Sequence, residues 1–222
     1  MLKSYVKRTG HFTDSQKKAY ESLSEKYLVP FREEPINFCD LFKNENVTLE
    51  IGFGSGFATA EIAQTNPDKN YLGIEVHRPG IGRLLWEIGK RSLSNIKIIE
   101  YDASAVVEKM IPPDSLDAVH VFFPDPWPKK RHNKRRLIQR PFTQLLADTL
   151  KPEGYLYMVT DWEDYAAFAL EELTASAGLR NSFNGFAEPQ QWRPKTSFEK
   201  KGLAKNHVIK ELFFVKTNKE AD

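Results

Sequence analysis

Two stretches of the chain combine residue types that could do chemistry. The first is Phe122-Phe123-Pro124-Asp125-Pro126-Trp127-Pro128, which runs directly into Lys129-Lys130-Arg131-His132-Asn133-Lys134-Arg135-Arg136. Proline fixes φ and removes a backbone donor, so three prolines on alternate positions end a strand and stiffen the loop beyond it. A stiff loop holding one acid, Asp125, and one indole, Trp127, can hold a planar group. The basic run beside it suits phosphates, and together they point to chemistry on a base within a nucleic acid. The second stretch is Glu50-Ile-Gly52-Phe-Gly54-Ser-Gly56. Glycines permit a tight turn and let a ligand approach the backbone. The dinucleotide fingerprint G-x-G-x-x-G would require glycine where Phe57 stands. An acid just ahead of the turn disfavours a pyrophosphate and suits a cationic ligand bearing an ammonium or sulfonium group.

These residues need elements to position them. Val47–Ile51 reads as a core strand, and residues 57–64 read as a helix closed by Asn66-Pro67. Residues 70–75 form a second strand ending at Glu75, spaced from Gly52 as a ribose-binding acid is in such folds. Pro79 opens the next helix. Residues 96–101 make a third strand followed by Asp102, which either accepts from an adenine amino group or caps the helix over 104–110. The fourth strand carries Leu116, Val119, Val121 and Phe122 into the proline loop. A helix starts near Pro141, 151–154 turn, and 155–160 form a fifth strand ending at Asp161. Asp161 looks like the N-cap of the helix carrying Tyr165, Phe168 and Leu173, with Asp164 three positions beyond it. Five strand–helix units predict an α/β, Rossmann-like, doubly wound and mostly parallel sheet. Ligands of such sheets bind outside the carboxyl ends of the strands, where Glu50, Gly52, Glu75, Asp102, Asp125 and Asp161 all fall. Beyond Gly178, residues 179–186 read as a strand, 190–202 as a polar loop, and 207–216 as a last strand buried on both faces, with Val208, Leu212 and Phe214 on one of them.

The 222 residues, 41% hydrophobic, suit one domain with a sizeable core. We divide them into an N-terminal arm, 1–35, which packs on the domain in preference to contacting RNA or ligand through Arg8 and its neighbours, and a catalytic domain, 36–222. Within the arm a helix is expected from about Ser15 to Tyr27, with Ala19, Leu23 and Tyr27 on one face. The net charge is +2, yet the six basic residues between 129 and 136 leave a net of −4 elsewhere. Positive charge is therefore concentrated, as a nucleic-acid footprint requires. The single cysteine, Cys39, permits no internal disulfide and sits among apolar neighbours, so it reads as a small core residue. The five histidines are dispersed without ligand spacing, so no metal is expected. No apolar run approaches a membrane span, and a cytoplasmic protein is expected.

The motifs Glu50-Ile-Gly52-Phe-Gly54-Ser-Gly56, Pro124-Asp125-Pro126-Trp127-Pro128-Lys129-Lys130-Arg131-His132 and Thr196-Ser197-Phe198-Glu199 together resemble the bacterial tRNA (guanine-N(7)-)-methyltransferases, over nearly the whole chain. The resemblance implies a class I methyltransferase fold with a final antiparallel strand, S-adenosylmethionine as cofactor, and tRNA as partner. It implies methylation of a guanosine in the variable loop. It places Glu50, the Gly52/Gly54/Gly56 turn, Glu75, Asp102 and Asp125 at the cofactor, with Asp125 also catalytic. Lys129, Asp161, Thr196, Ser197, Phe198 and Glu199 become substrate contacts. Arg131, His132, Asn133, Lys134, Arg135 and Arg136 become an RNA-binding stretch. We expect a monomer in preference to a homodimer. The alternative is a methyltransferase acting on a protein amide or small molecule, since prolines after strand four also suit flat amide substrates; the basic run argues against it. A non-catalytic RNA-binding module is opposed by acids at all five strand ends.

Overall fold

The computed structural model describes residues 4–5 and 10–217. Seven strands form one sheet in the order β3-β2-β1-β4-β5-β7-β6, the class I methyltransferase arrangement. Two compact units divide the chain, one comprising residues 6–111 and 192–194, the other the remainder.

In the first unit β1 (Val47–Ile51), β2 (Asn70–Ile74) and β3 (Ile96–Ile99) are parallel, with Leu49 beside Leu72 and Leu72 beside Lys97. All five residues of β1 and all five of β2 are buried, as expected for strands covered on both faces. Helix α1 (Asp14–Tyr27) begins with a reciprocal capping box between Thr13 and Gln16, which satisfies two otherwise orphaned donors. The helix packs against α4 (Arg78–Arg91). The fit is close: a Cβ on Gly82 would meet the Phe12 ring at 2.5 Å and the Gln16 carbonyl at 2.8 Å. Val29 N–H donates to the Ile98 carbonyl at 2.7 Å, so this part of the arm is bound to its unit. Lys3, Lys7 and Arg8 lie outside the described residues. Helix α2 (Phe38–Leu41) is a single turn, α3 (Phe57–Thr65) follows the glycine turn, and α5 (Ala103–Met110) follows β3. Cys39 is exposed rather than core, because the short α2 turns Phe38 inward and its neighbour outward; its thiol donates to Glu45 Oε1 at 3.2 Å.

In the second unit β4 (Leu116–Phe122) and β5 (Leu150–Thr160) are parallel. The expected 151–154 turn is carried inside β5 as a shift in register: Leu116 faces Leu150, while Ala118 already faces Tyr155. Glu153 takes φ +64° there. Helix α6 (Phe142–Thr149) precedes β5 and α7 (Glu163–Thr174) follows it. Strand β6 shrinks to Leu179–Asn181, and the expected polar loop over 190–202 contains α8 (Ser197–Leu203), capped by Thr196. Strand β7 (Lys210–Lys216) is antiparallel to both β5 and β6 and lies between them. Val208 precedes this strand and is exposed, because pairing begins only at Lys210. The ammonium of Lys216 is buried and donates to Asp114 at 2.5 Å and to the Leu150 carbonyl at 2.6 Å, pinning the end of β7.

Candidate active site

The glycine turn is built for close approach. Gly52, Gly54 and Gly56 all take positive φ, between 59° and 75°. Gly56 is also the N-cap of α3, and a Cβ there would strike Leu84 at 2.6 Å. Gly52 differs: nothing lies within 4 Å of where its Cβ would be, so the backbone borders open space. Beside it Glu50 is almost fully buried. Burial pushes its carboxyl up to about 7, the Thr59 hydroxyl opposes without completing a hydrogen bond, and the Glu75 charge adds to the rise. No cationic side chain among the described residues offsets it. A buried acid next to an open glycine backbone fits a ligand that brings its own positive charge.

Glu75 is also raised by burial, but three backbone amides hold it. Oε2 accepts from Gly54 N–H at 2.9 Å, and Oε1 accepts from Val76 and His77 N–H at 2.7 and 3.1 Å. Each carboxylate oxygen has two lone-pair sites, so Oε1 is committed and Oε2 retains room for one donor. The carboxylate is thus a fixed bracket between the first two strand ends, rather than two free acceptors. Asp102 caps α5: its Oδ1 accepts from Ser104 and Ala105 N–H at 3.0 and 3.2 Å. Oδ2 takes no part in the cap.

The proline loop is over-determined. Phe123 N–H closes the strand ladder on the Val159 carbonyl at 2.7 Å. Phe123 and Trp127 then take φ +52° and +46°, a region costly for bulky residues, at equal distance on either side of Asp125. Pro126 further restricts Asp125 to extended backbone. The half-buried Asp125 carboxylate stands close enough to Tyr165 to raise that phenol, whose main perturbation is its own burial.

The basic run forms a 3-10 helix over Lys130–Arg135. At three residues per turn, positions i and i+3 share a face; this pairs Arg131 with Lys134 and His132 with Arg135, while Arg136, the C-cap, leaves the helix. Lys129, Lys130, Arg131 and Lys134 are exposed. His132 and Arg135 turn to Trp127: the Arg135 guanidinium stacks 3.9 Å from the ring centroid, and the His132 ring meets it edge-on at 5.8 Å. The indole N–H donates to the Ser4 carbonyl at 2.9 Å. Asn133 and Arg136 turn to the loop backbone. Oriented with its nitrogen toward them, as the surrounding acceptors require, the Asn133 amide donates to the Trp127 and Lys129 carbonyls at 3.1 and 3.2 Å. Arg136, expected among the RNA contacts, is only 2% exposed. Its Nε donates to the Pro126 carbonyl at 3.0 Å, its Nη2 pairs with Asp164, and it lies 5.0 Å from the Tyr165 and Phe168 centroids. Its guanidinium is turned to the loop and to α7 rather than to solvent.

Asp161 does not cap α7; that position belongs to Trp162, which makes no side-chain cap. Its Oδ2 instead meets His207 Nδ1 at 2.9 Å and rests over Gly202, where a Cβ would lie 2.8 Å from that oxygen. The structure thus brings Asp161 together with α8, whose first turn holds Thr196, Ser197, Phe198 and Glu199. Thr196 Oγ1 accepts from Glu199 N–H at 3.1 Å, Glu199 is buried, and Phe198 is 54% exposed. His207 and the inward role of Arg136 escaped the sequence reading. A 46-residue separation leaves no local signal for the first. The second depends on the C-cap position of Arg136, which the linear charge run does not disclose.

Among the described residues no group of three metal-binding side chains occurs, and no helix is long and apolar enough to cross a membrane.

Comparison with known proteins gives this arrangement a family. A family model described as "Putative methyltransferase" matches residues 44–212. The tRNA (guanine-N(7)-)-methyltransferase of Nitrosomonas europaea is 47% identical over 217 residues, covering 97% of each chain. The chain belongs to the tRNA (guanine-N(7)-)-methyltransferase family. The family's member from Paraburkholderia xenovorans is 48% identical, over 97% of this chain and 83% of its own. Among solved structures, the 16S rRNA methyltransferase KamB superposes with a TM-score of 0.58 at 14% identity, covering 96% of this chain and 97% of its own. The antibiotic-resistance methyltransferase Kmr gives 0.57 at 15%, over 82% and 92%. At such identities these two share the fold with this family member.

Proposed function

We propose that the protein transfers the methyl group of S-adenosylmethionine to nitrogen 7 of a guanosine in tRNA, with the variable loop as target. The 47% identity over 97% of both chains with a tRNA (guanine-N(7)-)-methyltransferase carries this reading. A cytoplasmic monomer goes with it. S-adenosylmethionine supplies an activated methyl on a cationic sulfur that leaves as a neutral thioether. Glu50, the open backbone at Gly52, and Glu75 would hold it. Their chemistry fits: a desolvated acid without a cation, a glycine turn open to solvent, and a bracketed carboxylate with one acceptor site left. Asp102 Oδ2 would complete the adenosine side.

Guanine nitrogen 7 already carries an in-plane lone pair, so no base is needed to make it a nucleophile. The protein must orient the ring and accommodate the positive charge it acquires; positioning of this kind supplies much of the rate. Asp125, fixed by its prolines and the two left-handed residues around it, does both: its carboxylate accepts from the base edge and offsets the developing charge. Asp161, held by His207, shares base recognition with the first turn of α8. Lys129, Lys130, Arg131 and Lys134 face solvent and take the phosphates. The test is transfer of labelled methyl to unmodified bulk tRNA, with the product mapped by cleavage at the modified base. Label on guanine nitrogen 7, lost in Asp125→Ala while cofactor still binds, is the expected result. Cofactor binding with no label in tRNA would reject the substrate.

A further inference from the structure

We infer that Arg136 is a positioning residue for Asp125, acting from inside the protein on the backbone of the proline loop. The inference rests on Asp125 being the residue that meets the base.

A guanidinium is planar, always charged and presents its donors in a fixed fork. Taking it out of water is costly unless its donors and charge are met. Here they are met by partners belonging to the loop and to α7. Nε reaches the Pro126 carbonyl, one peptide beyond Asp125, at 3.0 Å. Nη2 pairs with Asp164 in the first turn of α7, where a carboxylate also suits the helix dipole. The rings of Tyr165 and Phe168 supply two aromatic contacts. Tyr165 in turn accepts from Ile138 N–H at 3.0 Å, which fixes the chain just after Arg136.

The loop requires such a hold. Phe123 and Trp127 both sit in left-handed backbone, a conformation that persists only when the surroundings impose it. The Pro126 carbonyl lies beyond the end of the strand at Phe122, and Arg136 supplies a donor to it. Asn133, one 3-10 turn earlier, supplies the same service to the Trp127 carbonyl. The basic run therefore has two jobs on two faces, and Arg136, hydrogen-bonded to the residue that follows the catalytic acid, belongs to the inner one.

Three variants separate this from a phosphate contact and from a simple stability role. Arg136→Lys keeps the charge but cannot span both Pro126 and Asp164. Arg136→Met keeps the volume. Asp164→Asn changes an exposed surface group and loosens the guanidinium from the far side. Single-turnover methyl transfer at saturating tRNA, the tRNA Kd with its salt dependence, and thermal melting are measured for each. A misplaced catalytic group costs up to about 100-fold in rate. The expectation is a 10- to 100-fold loss in Arg136→Lys and Arg136→Met and a smaller loss in Asp164→Asn, with Kd within about twofold of wild type and an unchanged salt slope. A weakened Kd with a slope lower by about 0.7 to 0.9 would make Arg136 a phosphate contact and overturn the inference. So would wild-type rates in Arg136→Lys. Should Arg136→Met fail to melt cooperatively, Asp164→Asn decides: a wild-type rate there, with Arg136→Lys slowed only in proportion to lost folded protein, reduces Arg136 to a stability element. Absence of transfer by the wild type would instead reject the proposed function.

Discussion

Glu50 makes the free protein's stability depend on pH in a calculable way. Its carboxyl is pushed from 4.5 to about 7, chiefly by burial. Between those values the folded state keeps a proton that the unfolded chain has released. Folding stability attributable to this group is therefore fully present below 4.5, declines as pH rises, and is gone above about 7. At about 1.4 kcal/mol for each tenfold change in acidity, the loss amounts to about 3 kcal/mol. Glu50→Gln keeps the shape and cannot ionise. Urea unfolding of both proteins, without cofactor and followed by tryptophan fluorescence at pH 5, 6, 7 and 8, gives the difference directly. The wild type should lose about 3 kcal/mol relative to the glutamine variant across the window. Binding of S-adenosylmethionine at pH 6 should then release a proton in the wild type and none in Glu50→Gln, measured calorimetrically in two buffers of different ionisation enthalpy. Parallel stability profiles would refute the reasoning, because they would mean that Glu50 titrates in the folded protein as it does in the unfolded chain.

Other consequences are more direct. Asp125→Asn should lower single-turnover methyl transfer without abolishing an ionisation in the pH–rate profile, since nitrogen 7 needs no base; a limb present in wild type and missing in the variant would contradict that mechanism. Replacing Lys129, Lys130, Arg131 and Lys134 one at a time with Ala should weaken tRNA binding and reduce its log–log salt slope by about 0.7 to 0.9 per lost contact, read from filter binding at several salt concentrations. Gly202→Ala should push Asp161 from His207, raising KM for tRNA while calorimetric cofactor affinity stays at the wild-type value. Thr13→Ala removes the capping box of α1 and should cost about 1 kcal/mol in urea unfolding.

The parallel strands, the glycine turn and the proline loop were legible because each has a local cause: continuous apolar runs, residues tolerant of positive φ, and rings that cannot join a ladder. Glu50 and Asp125 were singled out through such neighbours. Charge in a linear run has no face until its helical period is known, so Arg136 read like Arg131 although one is buried and the other exposed. Asp161 followed by Glu163 and Asp164 matches a capping pattern, but its partner His207 comes from beyond α8, where only tertiary structure could bring it. Cys39 illustrates the reverse error: apolar neighbours along the chain do not imply burial when a single helical turn presents successive residues about 100° apart.

The place of β7 between β5 and β6 has a consequence for synthesis on the ribosome. β5 is translated some fifty residues before β7, its antiparallel partner, and β6, only three residues long, pairs with β7. Until residues 210–216 emerge, the nascent β5 offers Tyr155, Tyr157 and Val159 along an open edge, the kind that recruits other chains. The half of the fold that carries Asp125 and Asp161 therefore closes late, when β7 pairs with β5, brings β6 onto the sheet, and Lys216 reaches Asp114. Ribosome stalling or a premature stop between α7 and Lys210 would yield a chain with its glycine turn complete and an adhesive sheet margin, a substrate for chaperones rather than a slow enzyme.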